Sequence, residues 1–164
     1  MASNTDPGGY ATGFYFSVSF KGQDAAFQEI SGIQKEINTE EVAGGGENRF
    51  KYRLPGTVTH QNLVLKRAMV KTNSPLVSWC ASVLDNGLSQ PIAVHDVSVS
   101  LLDEKGIVYM MWTFFNAYPV KYAVSELKAQ ESVLVIESIE LAYNYFQVAS
   151  DKDVSSFSIS KLFN

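Results

Sequence analysis

One cysteine, Cys80, is all the chain has, so it has neither an intrachain disulfide nor a multi-thiolate metal site. Its two histidines, His60 and His95, are far apart in sequence and do not complete such a site. Charge is sparse as well: 13 Lys plus Arg against 17 Asp plus Glu leaves a net charge of −4, with no basic excess to grip a phosphate backbone. Specific nucleic-acid binding is therefore not expected. No apolar run approaches the ~18 residues of a membrane span, the longest being Ile107-Val108-Tyr109-Met110-Met111-Trp112. Met1 to Gly13 lacks the basic start and apolar stretch of a secretory signal, so export by the general route is not expected and the product is expected inside the cell. Enzyme signatures are missing too. There is no Gly-x-Ser-x-Gly elbow and no His-Glu-x-x-His, and the glycines at 44–46 lack the Lys-Ser/Thr of a phosphate loop. No catalytic, cofactor or metal residue is assigned.

What the chain does have is core-forming material. Ten Phe, eight Tyr and two Trp within a 46% apolar composition predict one folded domain over 1–164. Phe14, Phe16, Val18 and Phe20 alternate with polar residues, the period of a strand with one buried face. From Phe27 to Asn38 the alternation contains Gly32, which predicts a bulge or sharp bend. Glu40 to Gly56, with three consecutive glycines and a closing Leu-Pro-Gly, predicts a projecting hairpin or loop. Asn62 to Arg67 reads as another strand. One helix is predicted over about 74–86: Ser74 caps it, Pro75 opens it, Leu76, Trp79, Cys80, Val83 and Leu84 make its apolar stripe, and Asn86-Gly87 stops it. At about 20 Å long it suits one mouth or face of a small barrel.

Ala93 to Leu102 and Ile107 to Asn116 read as a hairpin joined at Asp103-Glu104-Lys105-Gly106. The second of these strands is apolar on both faces, so it needs two covers: the domain's own core, and a helix or neighbouring subunit. Val133 to Val148 reads as a single long strand, and the alternating tail from Asp151 to Asn164 as an added edge strand. The expected fold class is mainly β: a small barrel or sandwich of six to eight mostly antiparallel strands bearing one α-helix.

Several residues invite a functional reading and receive a plainer one. His60 adjoins a turn and His95 sits in an alternating strand, so neither is assigned a role as a base. Cys80 lies on the helix stripe, where a buried inert thiol is expected. Glu29, Glu36, Glu40 and Glu41 read as solvated strand faces, since calcium loops bring closely spaced acids with a defining glycine.

The ordered phrases are themselves distinctive: Phe-x-Glu-Ile-Ser-Gly-Ile at 27–33, Gly-Gly-Glu-Asn-Arg-Phe at 45–50, Leu-Pro-Gly at 54–56 and Asn-Leu-Val-Leu-Lys-Arg at 62–67. Trp79, Leu101-Leu102-Asp103, Trp112 to Lys121 and Ile136 to Leu141 follow in order. In these phrases, over about residues 14–148, the chain resembles the contractile tail tube proteins of phages and phage-tail-like injection systems, and Leu141 to Phe146 looks most like the injection-system branch. The resemblance implies a β-barrel with one helix that forms sixfold rings, joins its sheets into a continuous cylinder and stacks into a hollow tube. A contractile sheath would drive that tube through a target envelope. Expected partners are other copies of the chain, the sheath, baseplate or spike and terminal cap proteins, and protein cargo in the lumen. Cofactors are none. Assembly is expected in the bacterial cytoplasm, in a particle that is either released or membrane-anchored.

Stacking into an open tube requires two different surfaces of one subunit to meet. The expected surface is the 40–56 segment, with Glu40, Glu41 and Glu47 as acids, Arg49, Lys51 and Arg53 as bases, and Asn48, Pro55 and Gly56 beside them. Residues 1–13 and 151–164 fall outside the matched core, and the latter would add an edge strand, contact the sheath or enter the lumen. Two alternatives stand beside this reading. One is a tube-initiating or baseplate-adaptor paralogue; the other is a carbohydrate-binding β-sandwich using Trp112, Tyr118 and Tyr122.

Overall fold

The computed structural model describes residues 14–70, 74–130 and 134–150. The segments 1–13 and 151–164, including the edge strand expected in the latter, lie outside them.

Ten strands and one helix follow in the order β1 (Tyr15–Phe20), β2 (Gln23–Phe27), β3 (Glu29–Ser31), β4 (Glu36–Val42), β5 (Tyr52–Thr59), β6 (Leu63–Ala68), α1 (Pro75–Asn86), β7 (His95–Leu102), β8 (Val108–Val124), β9 (Ile136–Ala142) and β10 (Tyr145–Ser150). All the strand pairs are antiparallel. The strand count exceeds the expected six to eight because two runs are broken by turns. Phe27 to Ser31 also switches partners: β2 pairs with β1, while β3 pairs with β6. Between them the Gln28 N–H donates to the Lys66 carbonyl at 3.0 Å.

The main sheet runs β2-β1-β7-β8-β9-β6-β3, with β10 added on β8. Because β2 and β3 are consecutive, the two ends of this path are joined through Gln28, and the sheet closes into a barrel. Closure makes the alternation strict. Val18 and Phe20 of β1, Leu63 and Leu65 of β6, Val97 and Val99 of β7, Phe114 of β8, and Ile139 and Leu141 of β9 all turn inward and are buried. Gly32 makes the predicted bend at φ +88°, where a Cβ would sit 1.9 Å from the Asn62 carbonyl oxygen.

The longest strand is not the expected one. β8 continues through Pro119 to Val124, 17 residues in all, while the run expected as a single strand over 133–148 is divided at Tyr143-Asn144. The two breaks are the same bend seen from adjacent strands. Asn116 adopts φ +53°, its N–H donates to Asp96 Oδ1 at 3.0 Å, and the Asn144 N–H donates to the Phe115 carbonyl at 3.0 Å. His60 holds the bend from outside: its ring stacks on Tyr143 at 4.2 Å and its Nε2 lies 3.0 Å from the Asn144 carbonyl oxygen.

The helix closes one mouth of the barrel, as its length allowed. Leu76, Trp79 and Cys80 are buried, Trp79 stacks on Phe20 at 4.7 Å, and its indole N–H donates to the Ala93 carbonyl at 2.9 Å. Leu84, the last residue of the expected stripe, stays exposed because the helix ends beyond the barrel rim. His95 lies against both Phe20 and Trp79, and burial first, then Lys21, pushes its ring below the ordinary histidine value. It is a packing residue.

Inside the barrel, β6 and β9 place Arg67 directly opposite Glu137, and both are buried. The Arg67 Nε–H donates to Glu137 Oε1, the Tyr122 hydroxyl donates to Glu137 Oε2 at 3.1 Å, and the guanidinium lies over the Phe27 ring at 5.0 Å. Burial, helped by the Glu137 charge, pushes the Cys80 thiol up to about 12.

Two measurements check this interior. Glu137→Ala strands a buried guanidinium and is expected to cost about 3–5 kcal/mol in urea unfolding, most of which the paired Arg67→Met, Glu137→Leu change restores. Cys80 is expected to resist thiol-disulfide reagents in the folded protein at pH 8 and to react once the chain is unfolded in denaturant.

Candidate assembly surface

The 40–56 segment forms the far part of a hairpin, β4–β5, that makes its own two-stranded sheet apart from the barrel. Its register pairs Glu41 with Arg53, Glu40 with Leu54, Thr39 with Pro55, and Val42 with Tyr52. An extra residue on β5 shifts the register between Ile37/Val58 and Thr39/Pro55, bulging the strand at Gly56, where a Cβ would come 3.0 Å from the Asn38 carbonyl oxygen. At the tip, Gly44 gives room to the Tyr52 ring, which a Cβ would approach to 2.6 Å.

Side chains alternate between the hairpin's two faces. Glu41, Lys51 and Arg53 share one: Lys51 Nζ lies 3.7 Å from Glu41 Oε2, and Arg53 Nη2 reaches Thr39 Oγ1 at 3.4 Å. Arg49 instead pairs with Glu47, two residues away, through Nε at 2.9 Å and Nη2 at 3.0 Å. These hydrogen bonds hold the Glu47 carboxyl below its ordinary value and raise the guanidinium of Arg49 in turn. Asn48 lies exposed between them. Of the expected acids and bases, then, Glu41 and Lys51 meet across the strands and Glu47 and Arg49 meet within the tip. Glu40 sits on the opposite face and has no ion pair among the described residues.

That opposite face is what reading the segment for charge overlooks. Val42, Tyr52 and Leu54 lie on it and Phe50 packs edge-on against Tyr52 at 5.2 Å, while beyond the bulge Ile37 and Val58 fall on the face of Glu41 and Arg53. Tyr52 and Leu54 are each 51% exposed, and every residue of both strands is classed as exposed. The signal was present in the period-two spacing of Phe50, Tyr52 and Leu54. A two-stranded hairpin is marginal alone in water, and this one has its apolar face bare among the described residues.

A second unfilled surface is the outer edge of β10, which among the described residues pairs only with β8. On the face turned from the core, Tyr145 stacks on Phe115 at 4.7 Å and is 49% exposed. On the face of β8 turned from the core, Tyr109 is 43% exposed among the described residues.

Elsewhere, no group of three or more His, Cys, Asp or Glu among the described residues is placed to hold a metal ion. No helix among them is long and apolar enough to cross a membrane. Trp112 and Tyr118 pack against the core and the Tyr122 hydroxyl is engaged by Glu137, so these three do not form an exposed sugar platform.

The family model of the T4-like virus tail tube protein gp19 matches residues 12–147. A chain from the cryo-EM structure of the anti-feeding prophage baseplate, 6-fold symmetrised, is 26% identical with a TM-score of 0.72, over 93% of this chain and 99% of that one. A chain of the PVC sheath–tube complex, an extracellular contractile injection system in its extended state, is 22% identical with a TM-score of 0.69, over 84% and 88%. Hcp1 from Flavobacterium johnsoniae shares the fold at 15% identity and a TM-score of 0.55, over 83% and 95%. No curated protein sequence matches. The family model spans the barrel, the hairpin and the first half of β10, and the chain belongs to the family of the T4-like virus tail tube protein gp19 as a structural tube subunit.

Proposed function

We propose that the chain forms hexameric rings that stack head to tail into the inner tube of a contractile injection system, without a reaction of its own. The observation that carries this is the β4–β5 hairpin, an apolar face with no cover among the described residues. In a ring, the unpaired edge of β10 takes a strand of the next copy, which removes an aggregation-prone edge and covers Tyr145. In the stack, the hairpin lays Val42, Tyr52 and Leu54 on a different surface of an adjacent copy. Meanwhile the Glu41, Lys51 and Arg53 face, with Glu47, Asn48 and Arg49 at the tip and Pro55 and Gly56 at the bulge, sets register. Heterologous contacts of this kind propagate without closing, as a tube requires.

Partners follow from the assembly. The related chains occur in baseplate, cap and sheath–tube structures, which supports sheath, baseplate and cap proteins as partners here, with protein cargo in the lumen. Assembly in the bacterial cytoplasm, before release or anchoring of the particle, belongs to the same proposal. A tube-initiating ring beneath the main tube is a second reading, favoured by the 26% identity to a chain of a baseplate structure.

Reversing Arg49, Lys51 and Arg53 together to Glu is expected to abolish tubes in negative-stain micrographs while leaving circular dichroism and unfolding unchanged, since the hairpin lies outside the barrel core. Tubes of normal length from that variant would overturn the assignment of the charged face. In the same assay Leu54→Asp is expected to stop assembly by placing a charge in the apolar face.

A further inference from the structure

Among the described residues the β4–β5 hairpin shares no strand ladder with the barrel, so its direction is set where its two legs leave the barrel. The legs, residues 32–35 on entry and 60–62 on exit, converge backbone to backbone at Gly32, where a Cβ would sit 1.9 Å from the Asn62 carbonyl oxygen. Each leg then reaches the same short stretch of chain. On the entry leg, the Lys35 ammonium donates to the Phe146 carbonyl at 2.7 Å and lies over the Phe146 ring at 4.2 Å. On the exit leg, the His60 ring stacks on Tyr143 at 4.2 Å with an interplanar angle of 13°, and its Nε2 lies 3.0 Å from the Asn144 carbonyl oxygen. A carbonyl only accepts, so Nε2 carries the proton of that contact. Asn62 adds a third hold, donating from Nδ2 to Glu140 Oε1 of β9 at 2.8 Å.

The stretch that receives these contacts is anchored in the core. Tyr143 and Phe146 are each 5% exposed, and both rings pack on the fully buried Phe114, at 4.9 and 5.3 Å. We infer that Lys35 and His60 are positioning residues for assembly: they clamp both legs of the hairpin to the Tyr143–Phe146 corner and so fix the angle at which the hairpin meets the next ring. This rests on the stacking reading above. The length of the hairpin makes the angle matter. From Glu36 to Gly45 the extended chain covers about 33 Å, so a swing of about 10° at the base carries the tip about 6 Å sideways, more than the ~4.8 Å between neighbouring strands. Interfaces pack as closely as protein interiors, and a displacement of that size removes the fit.

The chemistry of the two pins is specific. Lys35 places a charge-assisted hydrogen bond and a cation–π contact on one residue, and both go when the ammonium is removed. His60 combines a flat stacking surface with a donor at its edge, which an aliphatic side chain lacks. The corner is also the start of β10, whose outer edge is assigned above to the neighbour within a ring. Ring contact and stacking contact are thereby held in one frame, because the strand that meets the next copy in the ring also carries the pins that aim the hairpin.

The clamp is tested in the full chain by removing both pins, as Lys35→Met with His60→Leu, and by keeping the chemistry of one, as Lys35→Arg, whose guanidinium still donates and still lies over a ring. Direction is read in the dispersed chain from spin labels at Asn48→Cys on the hairpin tip and Asp85→Cys on the exposed side of α1, with the buried Cys80 left in place. The expected result is one narrow distance distribution for the unaltered clamp and for Lys35→Arg, and one at least twofold broader for the double variant, with circular dichroism unchanged. Without the labels, the double variant is expected to form rings but at least tenfold fewer tubes in negative-stain micrographs, while Lys35→Arg forms tubes in normal number. Lys35→Met alone, at an exposed position, carries the same measurements if the double variant does not fold. An equally narrow distribution without the pins, or tubes in normal number, would overturn the inference. So would a folded double variant that no longer forms rings, which would put the two residues at the ring contact instead. If the unaltered chain itself forms neither rings nor tubes, the stacking reading fails and the role in assembly falls with it, whereas the distance measurement still decides whether Lys35 and His60 hold the hairpin.

Discussion

The bend at Asn116 in β8 is the constraint on which the rest of the molecule depends. A strand of 17 residues extends roughly 55 Å, longer than a small barrel can use in one sheet. By turning at Asn116, β8 lends its first half to the sheet with β7 and β10 and its second half to the sheet with β9. The neighbouring run bends at the same level, at Tyr143-Asn144, and His60 packs on the corner. If β8 were straight, the sheet could not return through β6 and β3 to meet β2.

Closure dictates what the interior can hold. Inward positions are apolar except at the helix mouth, where Arg67 and Glu137 occupy a directly opposed pair. Burying two charges costs several kcal/mol per ion, offset only by good geometry and further contacts, here a hydrogen bond from the Tyr122 hydroxyl and a cation–π contact with the Phe27 ring. A one-residue slip of β9 against β6 would leave both charges unpaired, so the pair selects this register over its alternatives. Burial first, and then the same carboxylate, raises the Cys80 thiol on the inner side of the helix.

Beyond the barrel the chain is built for other copies of itself. Among the described residues the hairpin and the β10 edge lack partners in two different senses, one of apolar cover and the other of backbone hydrogen bonds. The barrel contributes rigidity, since its core is continuous from Val18 to Phe146. In the proposed assembly, the hairpin and the β10 edge contribute growth. This division suits a structural protein whose work is mechanical: the folded unit resists force while its exposed elements transmit it to the next unit.

Much of this was legible in the order of residues. The alternation of Phe14 to Phe20, the caps and stripe of the helix, the bend at Gly32 and the family phrases are local patterns, because backbone conformation and burial period act over a few residues. The hairpin's charges were legible too, as residues. Their pairing was not: Glu47 meets Arg49 through a tight tip, and Glu40 falls on the apolar side, because strand parity and one bulge at Gly56 assign the faces. Nor could the sequence reveal that one long strand is β8 rather than the 133–148 run, since both are apolar enough and the bend depends on contacts between residues far apart in the chain. The serines of β1 and β7 tell the same story. In sequence they are the polar half of two ordinary strands, and only the register that sets Ser17 against Ser100 and Ser98 against Thr113 gathers them into one uncharged face. Sequence alone determined which residues are apolar, polar or bent. Tertiary structure decided which of them meet, because pairing across a closed barrel is a long-range geometric condition that no local segment contains.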